Sequence, residues 1–197
     1  MHLTFNEQAI KITHAYDASV PIVGGDFLRS PYKDNSFEAV LSIGSFEHIE
    51  DEGGFFKVLR ETYRIIKPGG ILLIAVPQNS LFRRLITNWL LRRENFISKM
   101  HNCNKTLFAE YRYSTKELIN CLKKADYEVI YKDYADFKPP RSLALLCELN
   151  WAKEIDPVTK KHTWNLTPNG KRVLKLLSFL PNWAYYSNVF CVAKVKK

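Results

Sequence analysis

The stretch that decides the fold runs from Phe37 to Val76 and reads FEAVLSIGSFEHIEDEGGFFKVLRETYRIIKPGGILLIAV. Phe37 to Ile43 is an apolar run of strand length that ends at Gly44. From Gly53-Gly54 the period changes. Phe55, Phe56, Val58, Leu59, Tyr63, Ile65 and Ile66 project within about 180° of one another on a helical wheel, and Lys57, Arg60, Glu61, Arg64 and Lys67 fill the remainder. Such a helix lies on a core. Pro68-Gly69-Gly70 stops it, and Ile71 to Val76 is continuous and apolar, as in a central strand covered on both faces. Strand, helix, strand at this spacing is a βαβ unit, which requires a parallel sheet with a right-handed crossover. The fold class is therefore α/β, and ligands belong at the carboxyl ends of the strands. Those ends carry Asp26, Gly44 and Pro77.

Upstream, Asn6 caps a short helix expected from Glu7 to Tyr16, with Ala9, Ile10 and Thr13 on one face. Val20 to Gly25 is a further short strand, closed by Gly24-Gly25-Asp26 and a turn-rich loop, Ser30 to Ser36. Downstream, Leu81, Phe82, Leu85, Ile86, Trp89 and Leu90 form a helical stripe broken by Arg92-Arg93. Ser114-Thr115-Lys116-Glu117 is a capping box for a helix presenting Leu118, Cys121, Leu122 and Ala125, and Tyr127 to Tyr134 follows as a strand. Residues 138–168 have no firm period, with a short helix expected near Leu143 to Ala152. Thr167-Pro168 opens a helix to about Leu180, and Val189 to Val195 closes the chain as a strand.

At 197 residues the chain is read as one domain with a lid or insertion at 78–112 and a variable segment at 138–168. A composition 46% hydrophobic and 25% charged has enough apolar side chains for a core, which excludes disordered and fibrous classes. No apolar run reaches the roughly 18 residues of a membrane span, and Asn6 and Glu7 sit where a signal peptide is apolar. The expected location is cytoplasmic, with Leu81 to Arg93 open to a peripheral contact with an anionic membrane surface. Cys103, Cys121, Cys147 and Cys191 are widely spaced, which argues against a metal site and against a disulfide framework. The net charge of +9 is uneven: residues 1–79 hold 7 basic and 10 acidic side chains, residues 80–197 hold 22 and 10. A basic second part suits an anionic small molecule or an acidic surface, and no nucleic-acid-binding motif accompanies it.

Four segments in order, Gly25-Asp26-Phe27, Pro31 to Val40, Phe46-Glu47-His48-Ile49 and Arg64 to Gly70, resemble the class I S-adenosylmethionine-dependent methyltransferases, particularly the group that includes quinone-biosynthesis methyltransferases. The resemblance implies a Rossmann-like sheet ordered 3-2-1-4-5-7-6, with a helical insertion after the fifth strand. It implies that Asp26 accepts from the adenine amino group of S-adenosylmethionine and that Phe27 lies beside the purine. Ile43, Gly44 and Ser45 then pass beside the methionine portion, and His48 is the candidate catalytic base. These roles suit the residue types, since a carboxylate accepts from an exocyclic amine and glycine lets backbone approach closely. Transfer from a sulfonium needs alignment and at most one base, so few catalytic residues are expected.

The family's glycine-rich turn after its first strand has no counterpart here, and Thr4 stands where an acidic residue would hold the ribose hydroxyls. The expectation is an incomplete sheet, lacking the first strand, the first helix and most of the second strand. Three arrangements are open: the chain is a fragment of a longer enzyme, which is favoured; a partner protein completes the sheet; or the third strand pairs with the fourth. Function follows the same fork. Either the chain is part of a methyltransferase acting on a small anionic or lipophilic acceptor, or it is an inactive methyltransferase-like binding subunit that stabilises a partner.

Overall fold

A computed structural model describes the chain except residues 1, 5–6, 20, 51–52, 82–83, 85–96, 103–104, 136–150 and 156–161. In chain order the elements are β1 (His2–Thr4), α1 (Glu7–Tyr16), β2 (Ile22–Gly24), β3 (Phe37–Ile43), α2 (Gly54–Ile65), β4 (Ile66–Pro77), β5 (Ile97–Asn102), β6 (Lys105–Tyr111), α3 (Thr115–Lys124), β7 (Tyr127–Ala135), β8 (Trp151–Ile155), β9 (His162–Leu166), α4 (Pro168–Leu177) and β10 (Asn188–Val195). One-turn 3-10 helices stand at Phe46–His48 and Asn182–Ala184.

The principal sheet has the order β3-β4-β10-β7. β3 and β4 are parallel, as the βαβ reading requires, while β10 runs antiparallel between β4 and β7. This is the 4-5-7-6 half of the expected order. A second, two-stranded sheet pairs β1 with β2 in parallel, His2 against Ile22 and Thr4 against Gly24, which is the 3-2 portion. Of the expected second strand, His2–Thr4 are present and pair in parallel with Ile22–Gly24. Among the described residues β2 and β3 belong to separate sheets, so the third strand does not pair with the fourth there.

α2 covers the principal sheet because its inward stripe has the helical period. Phe55, Val58, Leu59, Thr62 and Ile65 are buried and meet Leu72, Ile74 and Val76 of β4 and Val189 and Cys191 of β10 in one core. Two positions depart from the sequence reading. Phe56 is 39% exposed, while Thr62 is buried because its hydroxyl donates to the Val58 carbonyl at 2.6 Å and so carries no unpaired polar atom inward. β4 also begins earlier than Ile71. The helix ends at Ile65, and the pairing of β3 with β4 jumps from Phe37–Ile66 to Ala39–Ile71, so Pro68-Gly69-Gly70 forms a bulge within the strand. Gly69 has φ +74, and a Cβ on Gly70 would lie 2.6 Å from the Glu38 carbonyl, so both glycines are required there.

On the same face of the sheet, beside α2, α3 buries Leu118 and Leu122, and its capping box forms as read: Ser114 Oγ accepts from the Glu117 amide while Glu117 accepts from the Ser114 amide. Thr167 Oγ1 accepts from the Gly170 amide at the start of α4, which stops at Leu177 rather than Leu180. The insertion after β4 contains an antiparallel hairpin, β5 with β6, where only helix was expected; the stripe from Leu81 to Leu90 lies outside the described residues apart from Leu81 and Arg84. The helix expected over Leu143 to Ala152 likewise falls mostly outside them, but Trp151 and Ala152 are strand, in a second hairpin of β8 with β9. Both hairpins carry little helical period because their short strands pair locally. Among the described residues no helix is long and apolar enough to cross a membrane, and no cluster of ligating side chains suits a metal ion.

Candidate active site

The carboxyl rim of the sheet is where the candidate residues converge. β3 ends at Ile43, and Gly44 turns the chain with φ +67; a Cβ there would sit 3.4 Å from Glu47 Oε1. The Gly44 amide donates to the Ala75 carbonyl at 3.2 Å, which fixes the turn against the neighbouring strand. Ser45 then leads into Phe46–His48. β2 ends at Gly24, and Asp26 follows in a tight turn that its own carboxylate closes, Oδ1 accepting from the Leu28 amide at 2.8 Å. The two turns meet through their aromatic rings: Phe27 and Phe46 lie edge to face with centroids 6.0 Å apart.

The wall behind Phe27 is held by an ionic lattice. Glu61 on α2 accepts from the Ser30 amide and hydroxyl at 2.9 and 2.7 Å, and Arg64 donates to both Glu61 oxygens, to Asp34 and to the Tyr32 carbonyl. The Arg64 guanidinium holds the Glu61 carboxyl below its ordinary range. Loop 30–34 is thereby pinned to α2, and Phe27 with it. Between that loop, α2 and β3 runs a groove of about 610 Å³, lined at its rim end by Phe27, Ile43, Ser45 and Phe46. Of the five candidate cofactor residues, Phe27, Ile43 and Ser45 face this groove. Gly44 lies in the turn between two of them, and Asp26 is exposed beside it rather than lining it.

His48 stands on the rim side of the 3-10 turn, its side chain about half exposed and its Nε2 3.9 Å from Glu47 Oε1. Glu47 is the residue that sequence reading missed. It is 2% exposed, and its Oε2 has no hydrogen-bond partner among the described residues. Burial pushes its carboxyl up to about 7, with the nearby Glu110 carboxylate adding to the rise and His48 opposing it. Glu110 is itself buried and paired with Arg112 at 2.9 Å. Tyr113, stacked on Phe55, closes the same region, and its hydroxyl is pushed above its ordinary range mainly by burial. A buried acid beside a His was visible only as one letter of Phe46-Glu47-His48-Ile49; nothing in periodicity marks which of two adjacent polar residues turns inward.

The residues present fit S-adenosylmethionine in part. An aromatic face, a glycine turn and a carboxylate with Oδ2 outside its own Asx turn are grouped at one rim. Thr4, the residue expected at the ribose position, ends β1 and pairs with Gly24.

Residues 2–74 match the family model described as a methyltransferase domain. Among curated relatives, a demethylmenaquinone methyltransferase of Streptomyces griseus is 36% identical over 76 residues, covering 37% of this chain and 32% of the relative. Another, from Corynebacterium kroppenstedtii, is 34% identical over 86 residues, covering 42% and 36%. The matched stretches thus span about a third of those relatives' length. A solved S-adenosylmethionine-dependent methyltransferase of Methanosarcina mazei superposes with a TM-score of 0.62 at 14% identity, covering 98% of this chain and 79% of that one. The chain therefore has the Rossmann-like fold of S-adenosylmethionine-dependent methyltransferases and resembles their class I members in sequence over the methyltransferase-domain stretch at residues 2–74.

Proposed function

We propose that the chain forms part of an enzyme transferring a methyl group from S-adenosylmethionine to a small lipophilic acceptor. The observation that carries this reading is the Phe27–Phe46 contact, which joins the turn after β2 to the turn after β3 at one rim. Asp26 is assigned to the adenine amino group through Oδ2, since its own turn holds Oδ1. Phe27 covers a purine face, and Ile43, Gly44 and Ser45 carry backbone past the methionine portion. When bound, the cofactor supplies an electrophilic methyl on positive sulfur.

The chain's own part is alignment and proton removal. His48 is assigned as the base, its side chain about half exposed in the turn that follows β3. Glu47 behind it stabilises the imidazolium as it forms. The lipophilic acceptor is supported by the demethylmenaquinone methyltransferases that match part of this chain.

Calorimetry with S-adenosylhomocysteine tests the cofactor assignment. Asp26→Ala and Gly44→Val should each weaken binding by at least about tenfold, the factor that a lost charge-assisted hydrogen bond or a blocked close approach produces. Binding that both variants leave unchanged, or no binding by the native chain, overturns the assignment. Labelled-methyl transfer to a demethylated quinone tests the acceptor, and His48→Gln should lower kcat with KM little changed.

A further inference from the structure

A second groove, of about 520 Å³, opens at the same carboxyl rim on the β7 side of the sheet. Two periodicities meet in it. On α3, Lys116, Ile119, Asn120 and Lys123 recur at i, i+3, i+4 and i+7, a single stripe on the flank away from buried Leu118 and Leu122. On β7, Lys132 and Tyr134 are two residues apart and so share a face. Arg84, Trp183 and, just after β4, Gln78 and Asn79 also line it.

The lining is basic without compensation. Arg84, Lys116, Lys123 and Lys132 line the groove with no carboxylate among them, and none of the four makes an ion pair among the described residues. The contrast with another groove of this chain is informative. That one is lined by Lys57, Arg60, Arg64 and Lys197, an equal number of cations, but it also holds Asp34 and Glu61, and Arg64 is paired with both. Basic residues there serve the fold. In the groove over α3, Glu117 is the nearby acid on the same helix, and its carboxylate is committed to the Ser114 amide while its own amide is capped by Ser114 Oγ. The cap therefore satisfies the helix end internally, and attraction for an anion falls to the side-chain cations.

Two further features describe the ligand. Asn79 lines the groove, and its Oδ1 is buried with no partner among the described residues. Leu81 and Trp183 are 37% and 44% exposed at the mouth, and the Trp183 backbone is fixed over the end of β4 by Gln78 Nε2, which donates to its carbonyl at 2.8 Å. A single carboxylate neutralises one cation and leaves three, whereas a phosphate ester carries about two charges and several acceptor oxygens. We propose that this groove binds a phosphorylated small molecule, a phosphate or diphosphate ester, its anionic head among Arg84, Lys116, Lys123 and Lys132 and its apolar part against Leu81 and Trp183. Its occupancy is measured without the cofactor, so the test is independent of the methyl-transfer reading.

The full chain is titrated calorimetrically with inorganic pyrophosphate at low and high salt, and separately sedimented with phosphatidylcholine vesicles with and without phosphatidic acid. Pyrophosphate should bind, with affinity falling as salt rises. The double variant Lys123→Glu/Lys132→Glu should weaken it at least about tenfold, and Lys123→Gln/Lys132→Gln, which adds no repulsion, should weaken it in the same direction. Lys11→Glu on α1 serves as control, since Lys11 is exposed and outside the groove. Pyrophosphate binding with no sedimentation identifies a soluble phosphate ester; sedimentation that requires phosphatidic acid and is lost in the groove variants identifies a lipid headgroup. Absence of both, or equal loss in the Lys11 control, overturns the proposal.

Discussion

The two flanks of β3 differ in how their backbone and side chains are satisfied. Toward β4, β3 pairs from Phe37 to Ile43, and β4 continues into β10 and β7, with Leu72, Ile74, Val76, Val189, Cys191 and Ala193 all at 1% exposure or below. On the other flank β3 has no strand partner among the described residues. Leu41 is 66% exposed and Ile43 50%, and the 610 Å³ groove runs along that edge. Stability therefore resides in β4, β10 and β7 with α2 and α3, while the candidate cofactor residues sit on the incompletely covered flank. Sites drawn from the less stable part of a fold are common, because ligands supply there the contacts that the chain lacks.

The largest expected effect separates the flanks directly. Ile74→Ala removes a fully buried side chain between α2 and β10 and should cost about 3 to 4 kcal/mol by urea unfolding, whereas Leu41→Ala should cost less than about 1 kcal/mol. Equal losses would mean that the exposed flank is packed in solution and that the comparison is mistaken.

A pH dependence sharpens it at the rim. Glu47 titrates near 4.5 when unfolded and at about 7 when folded. Between those values the folded chain holds a proton that the unfolded chain has released, so stability falls as pH rises through this window and the loss is complete above it. Glu47→Gln keeps the buried shape without the charge and should remove that slope, gaining roughly 2 to 3 kcal/mol over the native chain above pH 7 and little below pH 5. Unfolding midpoints measured across this range check it. A native slope of opposite sign would show that Glu47 is charged and paired in solution.

How much of this was legible in the sequence follows the same division. The central βαβ unit was readable because its strands and helix carry their own periods, and α2 begins at the residue that Gly53-Gly54 marked. The capping box at Ser114 and Glu117 was readable because both partners lie within four residues. What could not be read depended on distant partners. The Pro68-Gly69-Gly70 bulge is set by the Glu38 carbonyl across the sheet, and the inward turn of Glu47 by packing beneath β6. Likewise Arg84, Lys116, Lys123 and Lys132 come from three segments that only the closed sheet brings together. Of the candidate site, the turns after β2 and β3 were located correctly along the chain. The position of Asp26 beside the groove rather than in its lining was set by the hydrogen bond to Leu28.

A smaller effect is expected on the well-packed side, at the helix α3 that carries the basic stripe. Ser114→Ala leaves the Glu117 amide without its cap and should cost about 1 kcal/mol. Because Lys116 and Lys123 ride on this helix, the same variant should loosen pyrophosphate binding less than the lysine substitutions do; a larger effect would place the anion at the cap itself.

The smallest effect concerns the turn that joins α3 to β7. Asp126 has φ +66, a left-handed conformation that Asn shares readily and Ala does not, and its carboxylate pairs with Arg60 on the exposed surface. Backbone conformation and ion pair make separable contributions, since exposed pairs add at most about 1 kcal/mol and usually less. Asp126→Asn keeps the conformation and loses the charge, so it should change stability by no more than about 0.5 kcal/mol. Asp126→Ala loses both and should cost about 1 kcal/mol. If Asn costs as much as Ala, the ion pair rather than the turn ties α2 to α3. The two helices on this face of the sheet would then be coupled through surface charge, and the packed flank would owe less to its core than the burial of Ile74 and Leu122 implies.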